Sequence, residues 1–169
     1  MNGAARMGTE IERKFLLKND SWRQSVQDSC RMSQAYARFE GKSGYSFRIR
    51  IAGDRAFLTL KSPVNGISRQ EYEYAIPPAD AEELMRSFCG SGRIEKIRHH
   101  VPFGDRLWEI DEFLGENAGL TVAELELETE NAVFEQPPWL GREVTGDIRY
   151  YNSRLIREPF SSWKDSPCS

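Results

Sequence analysis

The stretch Thr9–Leu17, TEIERKFLL, decides how the chain is read. Glu10, Glu12 and Lys14 recur there at every second position. In an α-helix, with about 3.6 residues per turn, these three side chains would fan around the cylinder. In a strand they share one face, and Ile11 and Phe15 share the other. The stretch therefore reads as a strand with one greasy side and one ionised side. Taken alone, it fits the solvated face of an antiparallel sheet.

Working outward, the same period of two returns in segment after segment. In YSFRIRI (Tyr45–Ile51), Arg48 and Arg50 oppose Phe47, Ile49 and Ile51. In AFLTLK (Ala56–Lys61), Thr59 and Lys61 oppose Leu58 and Leu60. Arg69, Glu71 and Glu73 share a face of SRQEYEYAI (Ser68–Ile76), and Lys96 and Arg98 share one of RIEKIRHHV (Arg93–Val101). Glu109 and Asp111 oppose Trp108 and Ile110 in RLWEIDEF (Arg106–Phe113). Glu124, Glu126 and Glu128 alternate with Ala123, Leu125 and Leu127 in TVAELELET (Thr121–Thr129). Gly53–Asp54 and Pro63–Gly66 are hairpin turn signals between these strands. Helices are expected at Asp80–Gly90, with Asp80 and Glu83 at capping-box spacing and Gly90 just past the end. Weaker helix candidates are Ser21–Cys30, the stretch from Trp139 to Asp147, and Asn152–Glu158.

A solvated sheet would mix its charges, whereas here they are segregated strand by strand. Arg48 and Arg50 carry only positive charge, and Glu124, Glu126 and Glu128 only negative. Like charges so placed repel, and the penalty grows in a low-dielectric cavity. Clustered carboxylates suit hard divalent cations, and clustered Arg and Lys suit phosphates. The pattern thus points to a metal–polyphosphate ligand held inside a barrel of inverted polarity. The expected fold is α+β, mainly antiparallel β: a closed tunnel barrel of about eight strands with a charged lumen. A few helices would pack outside on its apolar face.

The totals agree with one water-soluble domain. The chain has 169 residues, 39% apolar and 29% charged, and a net charge of −3, which argues against a dedicated nucleic-acid binder. No apolar run approaches the roughly 20 residues that span a bilayer, and residues 1–8 read as a loose terminus without a processing signal, so a cytoplasmic protein is expected. Residues 9–158 are expected to form the single domain and 159–169 a tail. Cys30, Cys89 and Cys168 fit neither a disulfide framework nor a zinc site. His99 and His100 have no further histidine to complete a site. Trp22 and Trp163 are expected to pack at the surface.

EIERK (Glu10–Lys14) resembles the Glu-x-Glu-x-Lys signature of the CYTH superfamily, the triphosphate tunnel metalloenzymes. The resemblance runs from about Thr9 to Leu155 and includes FRIR, TLKS, SRQEYE, IEKIR, WEIDEF, AELELE and PPWLGREVTGDIRYYN. Order, spacing and length are most similar to the bacterial short forms that hydrolyse inorganic triphosphate. Thiamine triphosphatases, RNA triphosphatases and class IV adenylyl cyclases are related. The resemblance implies that Glu10, Glu12, Glu124 and Glu126, with Asp111 joining or supporting them, hold Mg²⁺ or Mn²⁺. It implies that Arg48, Arg50, Lys61, Lys96 and Arg98, with Arg69, grip phosphate oxygens. Lys14 would pair with Tyr36 near the terminal phosphate or leaving group. Lys14 or Lys96 would assist the departing phosphate, and Glu73 would orient the water, or with Glu71 orient the basic side chains or hold a second metal. Glu128 would support the acidic row, and Asp147, Arg149 and Tyr150 would close the tunnel. The implied activity is metal-dependent hydrolysis of a small triphosphate by a monomer or homodimer, without nucleic-acid or membrane partners. Thiamine triphosphatase or adenylyl cyclase chemistry, and non-catalytic polyphosphate or nucleotide binding, are the alternatives.

Overall fold

In the computed structural model, which describes residues 6–37, 44–90 and 92–163, the seven alternating segments become strands, and Asp28–Ala37 and Leu140–Glu143 add two more to make nine. They are β1 (Arg6–Leu17), β2 (Asp28–Ala37), β3 (Ser46–Ala52), β4 (Arg55–Lys61), β5 (Ser68–Ile76), β6 (Ile94–Phe103), β7 (Arg106–Phe113), β8 (Thr121–Glu126) and β9 (Leu140–Glu143). The sheet order β5-β4-β3-β2-β6-β7-β8-β1-β9, with β5 also pairing β1, closes eight strands into an antiparallel barrel and leaves β9 on its outside. β1 is the clasp. Its first half pairs with β5 from Arg6↔Glu73 to Ile11↔Ser68, and its second half with β8 from Glu12↔Glu126 to Leu16↔Val122. The Gly53–Asp54 turn joins β3 to β4 with Gly53 at φ 60°, a conformation that costs a residue without Cβ little.

The barrel is inside out. Its hydrophobic clusters lie mainly on the outer face, each under a segment from outside the barrel. Ala35, Ile49 and Ala56 are covered by α1 (Pro78–Phe88) through Ala81 and Met85. Ile11, Phe15, Val101, Trp108 and Ile110 are covered by Trp22 and by Phe134, Trp139 and Leu140. A third cluster gathers Tyr150, Leu155 of α2 (Asn152–Leu155) and Phe160 around Ile94, Phe113 and Val122. Those last three, with Leu16, sit on the same side of their strands as the ionised residues. One end of the lumen wall is therefore apolar beneath the C-terminal segment. Lys96 Nζ, 5.8 Å from the Phe113 ring, marks the boundary.

Several local expectations are corrected. Ser21–Ser25 is a single 3-10 turn and the chain is a strand again from Asp28. Leu140–Glu143 is a strand, because pairing with β1 outweighs its helical pattern. Asp80 does not cap α1. The helix begins at Pro78 with Pro77 in the cap position, since proline at the first turn needs no donor, and it ends at extended Cys89 with Gly90 outside the left-handed region. β8 stops at Glu126, so Glu128 leaves the acidic row and pairs with Arg106 at 2.7 Å. Trp22 is wholly buried against His99. Cys30 and Cys89 are free thiols; Cys168 lies outside the described residues. No helix among the described residues is long and apolar enough to cross a membrane.

Trp108 anchors the largest cluster, edge-on to Phe15, Phe134 and Trp139 at 5.8, 5.6 and 5.3 Å. Trp108→Ala should cost about 3–5 kcal/mol in urea unfolding, the range for deleting a buried ring. A loss below about 1 kcal/mol would show that this cluster is not the core.

On the same face of β6 as Lys96 and Arg98, His100 links three strands: Nδ1 is 2.6 Å from Asp28 of β2 and Nε2 is 3.6 Å from Glu109 of β7. Glu109 first, then Asp28, raises the imidazole from 6.5 to about 9. A value raised by folding stabilises fully below the unfolded value and loses that contribution as pH rises through the folded one. The melting-temperature advantage of the native chain over His100→Gln should therefore be full below pH 6.5 and vanish as pH passes about 9. A difference independent of pH would contradict this linkage.

Candidate active site

Period-two alternation carries ionised side chains of seven barrel strands, and the Tyr36 phenol of the eighth, into one cavity of about 2170 Å³. Glu10, Glu12 and Lys14 come from β1, Tyr36 from β2, Arg48 and Arg50 from β3, and Lys61 from β4. Arg69, Glu71 and Glu73 come from β5, Lys96 and Arg98 from β6, Glu109 from β7, and Glu124 and Glu126 from β8. Asp111 lies beneath this lining, fully buried. The candidate metal, phosphate and proton-transfer residues named from the sequence are thus gathered around one lumen, while Glu128, Asp147, Arg149 and Tyr150 are not in its lining.

The lumen is organised as linked ion pairs. Lys14 Nζ sits between two carboxylates, 2.8 Å from Glu12 and bonded to Glu124. Burial would lower the Lys14 ammonium, but Glu12 and Glu124 outweigh it and hold the charge above its ordinary range. Glu12 itself is pushed up by burial and by Glu124. Glu124 is held well below the usual carboxylate range because Lys14 and Arg98 overcome the effect of burial. Glu10 accepts from Lys61 at 2.8 Å and from Arg69 at 2.6 Å, and these cations likewise outweigh burial to keep it ionised.

On the cationic side, Glu73 accepts from Arg48 at 3.1 Å, Arg50 at 3.0 Å and Thr59 at 2.8 Å. Arg48 Nε and Arg50 Nε are buried without a protein partner. Burial and neighbouring Arg48 lower Arg50 to about 10. Arg98 donates to Asp111 and to Glu124 at 2.7 and 2.6 Å and bonds Glu109. Lys96 bonds Asp111; burial and Arg98 lower its ammonium to about 8.

One placement differs from the sequence expectation. Lys14 bonds Glu12 and Glu124, whereas the Tyr36 hydroxyl accepts from Gln34 Nε2 at 2.8 Å. Asp111 is engaged by Lys96 and Arg98, and Arg98 Nη2 ties it to Glu124 at 2.7 and 2.6 Å, the supporting place beside the acidic cluster. Three polar residues were passed over: Glu109, Gln34 and Thr59. Glu109 and Thr59 were legible as members of an ionised or polar face, and Gln34 shares the parity of Tyr36. Asp147 caps the 3-10 turn Ile148–Tyr150, and Tyr150 is core.

Among the described residues, no three Asp, Glu, His or Cys side chains form a ready metal cage. The donor set nonetheless suits a hard cation. The Lys14 ammonium already stands between carboxylates that repel one another, and Glu126 faces Glu12 across the β1–β8 ladder.

The whole arrangement has counterparts of known kind. The chain matches the CYTH domain family over residues 8–156. It is 46% identical over 159 residues to an inorganic triphosphatase of Acetivibrio thermocellus, covering 94% of this chain and 100% of that protein. An inorganic triphosphatase of Nitrosomonas europaea is 39% identical over 150 residues, 87% of this chain and 96% of that one. The crystal structure of an inorganic triphosphatase superposes with a TM-score of 0.62 at 35% identity, over 87% of this chain and 97% of that one. A candidate adenylate cyclase of Bacillus halodurans, 18% identical and with a TM-score of 0.57 over 73% and 84% of the two chains, shares the fold. By the span of these matches and the inside-out barrel that underlies them, the chain belongs to the CYTH domain family.

Proposed function

We propose that the chain hydrolyses inorganic triphosphate in its lumen with the help of a divalent cation. The observation that carries this is the meeting, in one cavity, of a cationic wall with open donors and a carboxylate cluster built around Lys14. Relatives of 46% and 39% identity bearing the name inorganic triphosphatase support it.

Charge supports the cation. Lys14, Arg48, Arg50, Lys61, Arg69, Lys96 and Arg98 contribute seven positive charges to the barrel interior. Glu10, Glu12, Glu71, Glu73, Glu109, Asp111, Glu124 and Glu126 supply eight carboxylates, and with Arg154, Arg157 and Glu116 at the rim nine cations face nine carboxylates, a formal charge of zero. An interior without net positive charge attracts a polyanion weakly until a cation enters with it. Glu12, Glu124 and Glu126, with Glu10, would hold Mg²⁺ or Mn²⁺. When bound, that ion neutralises and orients phosphate oxygens.

The chain's own residues do the rest. Glu73 fixes the Arg48 and Arg50 guanidiniums in the lumen wall, which suits it to orienting these cations toward a phosphate rather than to orienting a water. Asp111 and Glu109 brace Arg98 in the same way. Lys61 and Arg69 extend the phosphate-binding wall beside Glu10. In a loose transition state, charge accumulates on the phosphoryl oxygens, and these fixed cations stabilise it while a water attacks in line. Lys96, at about 8, is suited to giving a proton to the departing phosphate near neutral pH.

The purified protein should release phosphate from triphosphate faster than from pyrophosphate, thiamine triphosphate or ATP, form no cyclic AMP, and lose turnover on chelation. Binding without turnover in both Mg²⁺ and Mn²⁺ would reduce the protein to a sensor. Glu12→Gln, Glu124→Gln and Arg48→Ala should each lower kcat by on the order of 10²-fold or more. Wild-type kcat in Glu124→Gln across a Mg²⁺ titration would remove that carboxylate from the site.

A further inference from the structure

We propose that Gln34 is a positioning residue that turns the hydroxyl hydrogen of Tyr36 into the lumen, making Tyr36 a fixed donor to the substrate's phosphate oxygens. The proposal rests on triphosphate hydrolysis in this cavity.

Gln34 is fully buried on β2, with Arg50 beside it on β3 and Ile94 on β6. Its Nε2 donates to Tyr36 Oη at 2.8 Å. A phenol oxygen that accepts from an amide N–H keeps its own hydrogen for another acceptor. Tyr36 lines the cavity opposite Arg48, so the hydrogen left over faces the site of the anion. Burial raises the Tyr36 phenol above its ordinary value, so it remains a donor where the lumen works.

The remaining amide atom explains why the side chain is not simply filling. Gln34 Oε1 is buried with no hydrogen-bond partner. An unsatisfied buried acceptor destabilises a protein, and an apolar side chain of similar size would avoid the cost. A glutamine kept there under that penalty serves the one bond it makes. Among the described residues, the hydrogen bond that holds Tyr36 Oη is the one from Gln34, since Lys14 is committed to Glu12 and Glu124 and, like Arg48 and Arg69, acts on the phenol through its charge.

The test is a double-mutant cycle of Gln34→Met and Tyr36→Phe, read as kcat/KM for triphosphate beside the melting temperature. Each single change should lose about tenfold, the scale of one hydrogen bond to a charged group, and the double no more than either single. Losses that multiply to about a hundredfold would show that Gln34 does not act through Tyr36 and would overturn the proposal, as would full activity in Gln34→Met. Gln34→Glu, which preserves size and polarity, gives a readout that packing cannot move. A protonated carboxyl donates as the amide does, while a carboxylate accepts from Tyr36 and takes its hydrogen away. Activity relative to wild type should therefore fall as pH rises. A flat or rising ratio would overturn the proposal. Failure of the wild-type protein to cleave triphosphate would instead sink the hydrolytic function, so the two failures are separable.

Discussion

Charges withdrawn from water must be matched where they lie, and that constraint governs this molecule. Desolvating an ammonium or a carboxylate costs several kcal/mol that only close partners offset. The barrel meets the cost by threading cations and anions into chains, so that Lys14 joins Glu12 to Glu124 and Arg98 joins Glu124 to Asp111. No strand could satisfy this alone. The like charges of β3 and of β8 are tolerable only because other strands deliver the opposite sign, and barrel closure is what brings them within reach.

The interior being ionic, cohesion has to come from outside it. Helix α1, the Trp22 turn, the segment from Phe134 to Leu140 and the C-terminal stretch through Phe160 wrap the apolar outer face. These wrappers supply the hydrophobic burial that a conventional barrel finds within. Lumen residues are thereby relieved of most packing duty. The exception is the apolar patch of Leu16, Ile94, Phe113 and Val122, where the two regimes meet beside Lys96.

The barrel and its charged lumen were legible because a period of two on seven of the eight barrel strands survives any detail of pairing, β2 being the one without it, and the match to Glu-x-Glu-x-Lys needs only residue order. What escaped depended on neighbours distant in sequence. Leu140–Glu143 becomes a strand only because β1 offers an edge. Trp22 is buried because β6 presents His99 to it. Glu128 continues the alternation on paper, but its strand has already ended at Glu126. Asp80 and Glu83 mimic a cap, and the Pro77–Pro78 pair overrides them locally. The engagement of Asp111 by two cations, and of Tyr36 by Gln34, is a matter of side-chain reach that spacing does not encode.

The clasp formed by β1 has a further consequence. Because its two halves close the ring against β5 and β8, with β9 added beyond, its faces are set by the count of residues as much as by their kinds. One amino acid gained or lost near Ile11 would exchange inner and outer faces for everything after it, placing Phe15 in the bore and Lys14 against Trp108. Insertions and deletions are thus far more damaging along this strand than replacements.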